Sequence, residues 1–505
     1  MLIIGAGAAG IRAALAAAEQ GVSVLVVTKA PLAHAGSTFS PITRGWGIQA
    51  LIGAERTEKN LQDFYEDILR VGLGRCDPLL ARILVEESGP RLEDLMNYGM
   101  EFRKDAQGGF VRVKGCFSTY QRAFLTADME NIRETFLSIF RRSGAGLLYG
   151  KAIELHTYDG QCHGAWIRRL DGNLLMVRAG ATIIATGGGA GLFLENLVDK
   201  GHLGEGFALA QAAGAECTNL EFIQFMLGFK SGDSREFFPL NQLLTPGVLQ
   251  SEQRRDILVE GIPDPGARLE AIKARQTHFP FSCRDESGLI DLCISKIRKE
   301  GEKVLWAEKG SIKKPGEVLH LAHAFNGGIK INERAESTLP GLFAAGESAA
   351  GPHGADRIGG CMMTSTQVFG ARAGTHAALR AKKATKAHPS LKSPESLPGA
   401  GILGPMEAIP PDLLNLYRDA RECFSRELTP PRESNGLLHC VSKIEEAQKH
   451  LEKANKTDSS SLPDMRNALL AMKLVCKAAL ERGESLGSHC RSDFPPPFQN
   501  LELSG

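Results

Sequence analysis

The chain's 505 residues exceed what one hydrophobic core usually supports, so two or three structural units are expected. The 59 Lys plus Arg against 58 Asp plus Glu leave a formal charge of +1, which excludes a global field drawing the protein to nucleic acid or anionic membrane; anion specificity has to be local. No apolar run approaches the roughly 18 residues of a membrane span. The 11 cysteines are scattered without a CxxC pair, which argues against an iron–sulfur cluster, a structural zinc or a redox-active disulfide carried by this chain. The expectation is a cytoplasmic protein with reduced thiols, no signal peptide, no metal and no nucleic-acid partner.

Leu2, Ile3 and Ile4 read as a short strand, GAGAAG (Gly5–Gly10) as a glycine turn, and the alanine-rich stretch after it as a helix. Gly5 permits the tight turn, Gly7 lets main chain approach a pyrophosphate, and Gly10 lets the helix pack closely on the strand. Ala8 and Ala9 open a helix whose free N–H groups and positive dipole end face the phosphates. With a second strand at Val22–Val27 this is a dinucleotide-binding βαβ unit. After that strand the carboxylate that grips ribose in an NAD-type site is missing. Thr28 and Lys29 stand there instead, suited to other polar contacts including phosphate, or to a solvated strand end.

Next come a polar loop, GSTFSPITRGWG (Gly36–Gly47), and amphipathic helical stretches such as Glu58–Val71. From Lys151, two Asp-Gly turns (Asp159-Gly160 and Asp171-Gly172) predict a three-stranded meander. The apolar ATIIAT strand (Ala181–Thr186) follows, closed by glycines at 187–189 that return backbone to the cofactor. Ala152, Ala185, Thr186, Gly187, Gly188 and Glu205 are the cofactor-binding candidates of this region. Residues 216–330 read as an inserted α+β capping unit that would hold substrate. The chain then re-enters a strand at LPGLFAAGES (Leu339–Ser348) and a glycine-rich loop, HGADRIGG (His353–Gly360), ahead of a helix. A linker rich in Lys, Pro and Ser spans about 382–398, and a helical unit occupies 400–505 with a polar break at Thr457–Pro463. The fold class is therefore α/β: a Rossmann-type dinucleotide-binding domain with a β-meander (1–215 and 331–385), the inserted cap, and the helical C-terminal unit.

In this order, GAGAAG, ATGGG, HAFNGG (His323–Gly328), GLFAAGE (Gly341–Glu347), HGADRIGG and ESLGSHCRSDFP (Glu484–Pro495) resemble the motifs of the succinate dehydrogenase, fumarate reductase and L-aspartate oxidase flavoprotein family. The likeness runs over nearly the whole chain. It implies an FAD-dependent oxidoreductase that passes hydride between flavin and a carbon of a small (di)carboxylate. It also implies that Glu347 binds the ribityl or ribose hydroxyls of FAD and that Ser37, Thr38 and Gly47 line the flavin. Gly360 and Met362 would flank a helix start near Cys361 whose N-terminus faces the flavin pyrimidine edge, where negative charge collects on reduction. For substrate, His323 and Arg357 resemble the family's dicarboxylate clamp, and Arg284 in SCRDESG resembles the arginine that carries the proton. An iron–sulfur or other electron-transfer partner, tying the protein peripherally to the inner face of a membrane, is implied only by analogy.

Three departures matter. The family's QFHPTG reads QFMLGF here, with Met226 in place of a substrate-binding histidine. The family's TExxRGEG relay is not recognisable; the nearest stretch has Thr245 followed by Pro246, so the relay is absent or rebuilt from residues such as Glu252, Asp256 or Glu260. Ser37 stands where membrane-bound relatives attach FAD through a histidine, and His34 is three residues out of register, so the FAD is expected to be non-covalent. That loop favours an aspartate oxidase, whereas Met226 favours a different acid. The alternative is a flavin-bearing electron-transfer subunit with no dicarboxylate chemistry of its own. A nicotinamide-linked disulfide reductase is disfavoured by the lack of a cysteine pair and of a second complete GxGxxG.

Overall fold

A computed structural model describes residues 1–40, 46–198, 201–232, 234–306, 316–387, 409–454 and 462–496. Strand β1 (Leu2–Ile4) is wholly buried, and the turn after it opens helix α1 (Ala8–Glu19) at Gly7. β1 pairs in parallel with β2 (Leu25–Thr28), which pairs in parallel with the start of β3 (Gly146–Tyr158). β3 is long enough to do two jobs. Its first residues extend the parallel sheet, and its remainder pairs antiparallel with β4 (Gln161–Arg169), which pairs with β5 (Leu174–Arg178). The predicted meander is thus continuous with the dinucleotide sheet: its strand starts at Gly146, and its antiparallel pairing starts at Gly150, next to the expected Lys151. On the other side of β1 lie β6 (Thr182–Ile184) and β7 (Leu342–Ala344), both parallel. The ATIIAT and GLFAAGE motifs therefore end at the same carboxyl edge as GAGAAG, the edge where open α/β sheets bind ligands.

The stretch that looked least regular in sequence carries a five-stranded antiparallel sheet. Its central pair is β8 (Ile223–Ser231) and β9 (Gly316–Phe325), and it packs on helices Pro265–Arg275 and Gly288–Lys299 around a hydrophobic cluster of its own. These strands are short or fully buried, so the polar/apolar alternation that identifies a half-exposed strand is missing.

Helix α2 (Cys361–Ala387) follows the HGADRIGG loop and packs along α1. The C-terminal helices, α3 (Pro411–Leu428), α4 (Ser434–Ala454) and α5 (Leu462–Glu481), share one apolar cluster with the dinucleotide sheet. Most of the predicted linker, most of the polar break at Thr457–Pro463, and the middle of the GSTFSPITRGWG loop lie outside the described residues.

Candidate cofactor and substrate site

The carboxyl edge of the sheet opens into a cavity of about 520 Å³. Gly5 turns the chain there at φ +111°, and a Cβ on it would run into the Ala185 carbonyl. Only glycine allows the two motif loops to come this close. Helix α1 then presents its N-terminus with no acidic residue in its first turn and no side-chain cap at Gly7; Ala8 N–H reaches Thr38 Oγ1 at 3.3 Å. Uncapped amides at a positive dipole end are a ready seat for a pyrophosphate.

Of the expected cofactor residues, Gly5, Gly7, Ala8, Ala9, Thr28, Lys29, Ser37, Thr38, Gly47, Ala152, Ala185, Thr186, Gly187, Glu205, Glu347, Gly360 and Met362 all line this cavity. Gly10 and Gly188 stand just behind this lining. Gly10 lies against the Gly5 carbonyl, and Gly188 against the Glu347 carboxylate, so both serve close packing behind the cavity wall. Lys29 Nζ meets Glu205 Oε1 at 2.7 Å. A carboxylate therefore stands beside the end of β2, carried there by the first turn of helix Glu205–Ala212.

Glu347 accepts from Phe325 N–H at 3.0 Å, and burial pushes its carboxyl above the ordinary range. Ser37 Oγ is buried without a partner, and His34 points away, its Nδ1 on the Leu32 carbonyl.

His323 and Arg357 line the same cavity. The ladder between β8 and β9 pairs Gln224 with Ala324 and Phe225 with Ala322, so His323 is the bulged residue. A bulge re-aims a side chain out of the regular pleat. Arg357 donates from Nη2 to Gln224 Oε1, and Gln224 Nε2 donates to the Arg357 carbonyl at 3.4 Å. Gln224 thus fixes the arginine, a role that its position in QFMLGF did not reveal. His323 Nδ1 and Arg357 Nε are buried with no hydrogen-bond partner. Burial, and then the charge of Arg357, push His323 down to about 4, so the imidazole is neutral at physiological pH.

Arg284 does not line the cavity. It lies in the adjoining loop, donating from Nε to Asp356 Oδ2 at 3.0 Å and from Nη2 to the Val71 carbonyl at 2.8 Å, with its guanidinium 4.8 Å from the Phe117 ring centroid. Asp356 is the residue immediately before Arg357, and no sequence signal had singled it out.

Glu252, Asp256 and Glu260 serve elsewhere. Glu252 accepts from Lys303 N–H, Asp256 caps helix Ile257–Gly261, and Glu260 pairs with Arg255. Met226 joins an apolar cluster with Leu197, Leu319 and Leu321. Two further lining residues, His202 and Asp464, were also missed. Asp464 comes from the distant helix α5, and there it holds Lys151 at 3.0 Å and also accepts from Arg168.

A glycine-lined helix N-terminus, the buried Glu347 carboxylate, and His323 and Arg357 with unpaired atoms, all on one cavity, fit a dinucleotide-dependent oxidoreductase of the flavoprotein type. Residues 1–249 and 268–363 match the FAD binding domain family, and residues 418–498 match the fumarate reductase flavoprotein C-terminal family. The chain belongs to this FAD-binding family and is an FAD-dependent oxidoreductase. The match is interrupted over 250–267, the stretch that holds Glu252, Asp256 and Glu260.

A fumarate reductase (CoM/CoB) subunit from Methanothermobacter marburgensis is 29% identical over 98% of this chain and 94% of its own. L-Aspartate oxidase of Caulobacter vibrioides is 28% identical over 98% and 93%. Among solved structures, Sdh1 of Mycobacterium smegmatis in complex with UQ1 superposes with a TM-score of 0.76 at 25% identity, covering 98% of this chain and 88% of that one.

Proposed function

We propose that this flavoprotein transfers hydride between non-covalent FAD and a carbon of a small dicarboxylate, in the manner of fumarate reduction, succinate oxidation or aspartate oxidation. The carrying observation is the pair of unpaired buried atoms, His323 Nδ1 and Arg357 Nε, on the cavity that also holds the dinucleotide seat. Buried polar groups are almost always hydrogen-bonded, and orphans that converge on a cavity call for a polar ligand. A cation and a neutral N–H donor suit carboxylate oxygens. The naming of one relative as an L-aspartate oxidase and of another as part of a fumarate reductase supports the same chemistry.

The residues divide the work by position. Gly5, Gly7, Ala8 and Ala9 seat the pyrophosphate; Lys29 with Glu205, and Glu347, hold the sugar hydroxyls; Ser37, Thr38, Gly47, Gly360 and Met362 border the ring. Bound FAD supplies two-electron hydride chemistry. His323 and Arg357 fix the acid's carboxylates and exclude water from the reacting carbons; Arg284, to which the family likeness assigns the proton, is held in the adjoining loop by Asp356 and the Val71 carbonyl and would have to turn into the cavity to deliver it.

Electrons reach or leave the flavin through a partner protein; the naming of one relative as a subunit of a fumarate reductase supports this reading. Such a partner would hold the chain peripherally at a membrane; among the described residues no helix is long and apolar enough to cross one.

Titrating the reconstituted protein with fumarate, succinate and malonate tests the reading. The flavin spectrum is expected to shift, and fumarate to reoxidise chemically reduced flavin. Silence across that panel would overturn the reading in favour of a flavin carrier without acid chemistry. Acid precipitation is expected to release the flavin into the supernatant.

A further inference from the structure

We propose that Asp464, on the C-terminal helix α5, reads the 6-amino group of the FAD adenine and so selects the base of the dinucleotide. The proposal rests on the FAD assignment alone and is independent of which acid is reduced or oxidised.

A dinucleotide leaves its pyrophosphate in two directions. From the N-terminus of α1, one direction runs to His323, Arg357 and Met362, where a substrate meets the flavin ring. The other is bordered by Lys29 with its partner Glu205, by Lys151 and Ala152 of β3, and by Asp464. In a dinucleotide-binding sheet the groups at the end of the second strand stand beside the adenosine ribose, so the base lies farther along this second direction.

The wall there supplies what an adenine edge needs. The parallel pairing of β2 with β3 stops at Thr28 and Tyr149, and β3 runs on along the cavity as Gly150, Lys151 and Ala152. A strand edge that has lost its neighbour offers both N–H and C=O groups. Because it carries donors and acceptors alike, main chain on its own discriminates weakly between bases.

Asp464 adds a group of one kind. Its Oδ2 accepts from Lys151 Nζ at 3.0 Å and also from Arg168 Nη2, two cations that face each other across the ladder of β3 and β4. Among the described residues its Oδ1 accepts no hydrogen bond, although the side chain lines the cavity and is only 25% exposed. A carboxylate only accepts, so whichever oxygen meets the cations, the other remains an acceptor. The 6-amino group of adenine only donates and therefore matches it. A 6-oxo group, as in hypoxanthine or guanine, would set one acceptor against another.

The test compares FAD with flavin hypoxanthine dinucleotide, which carries oxygen in place of the amino group. Each is titrated by calorimetry into the full chain stripped of flavin, with no acid present. Wild type is expected to bind FAD at least about tenfold more tightly than the analogue. Asp464→Ala should bring the two affinities to within about threefold of each other. Asp464→Asn should invert the preference. Its single carbonyl oxygen stays with Lys151 and Arg168, which leaves Nδ2 to donate to the 6-oxo group and to oppose the 6-amino group.

A loss shared equally by both dinucleotides in the two variants would mean that Asp464 only docks α5, and would overturn the proposal. A wild type that binds both equally would overturn it too. Should Asp464→Ala fail to fold, the nearly isosteric Asp464→Asn decides, and an unchanged preference there overturns the proposal.

Discussion

Two arginine–aspartate pairs, each with a buried carboxyl, behave in opposite ways. In the cap, Asp291 is saturated: Oδ2 accepts from Arg275 Nε at 2.7 Å, while Oδ1 accepts from Arg275 Nη2 at 3.2 Å and contacts His320 Nε2 at 2.9 Å. Burial pushes that carboxyl up, but Arg275 and His320 together outweigh it and hold Asp291 at about 2. Beside the cavity, Asp356 meets its arginine through one oxygen, leaves the other bare, and is pushed up to about 6. The residue types are the same and both aspartates are buried, but Arg275 is fully buried while the Arg284 side chain is 12% exposed, and the acceptor oxygens of Asp291 are saturated while those of Asp356 are not.

The largest expected effect is on turnover. Arg284→Ala should lower kcat by about 10²–10⁴-fold with FAD still bound, read from steady-state rates and flavin absorbance. Retained turnover would remove Arg284 from the chemistry and leave both pairs merely structural. Asp291→Asn should instead destabilise the fold by about 3–5 kcal/mol in denaturant titrations, because it strands a buried Arg275, while turnover per folded molecule stays at the wild-type level. A cost near that of a surface pair would break the comparison from the other side.

The two pairs should also carry opposite pH signatures. Asp291 titrates lower folded than unfolded, so its contribution is complete above 3.8 and is lost as pH falls toward 2, a loss of roughly 2 kcal/mol. Asp356 titrates higher folded than unfolded, so stability declines as pH rises from 3.8 through about 6. Comparing each Asn variant with wild type across these windows should erase one slope and not the other. The smallest effect is on affinity: His323→Asn should weaken dicarboxylate binding about tenfold, or 1.4 kcal/mol, measured by flavin perturbation.

The dinucleotide half was legible because its glycines are forced by close approach. Gly5 at φ +111° beneath Ala185 leaves a mark in the sequence that no other residue can replace. The strands of the cap were not legible, since β9 is buried almost throughout and shows no alternation. His323 and Arg357 were found through their motifs. Gln224, Asp356 and Asp464 were missed because their roles arise from long-range contacts that no local pattern encodes. The expected substitutes for the relay were sought near the missing segment in sequence, whereas the carboxylate beside Arg284 comes from a different loop.

Asp464 forms part of the cavity wall although it lies on the last long helix of the chain, bound to Lys151 and Arg168 of the meander. The cavity wall is therefore closed by the docking of α5 on the meander, so loosening that contact with Asp464→Ala is expected to make FAD easier to lose, read as flavin released on dilution.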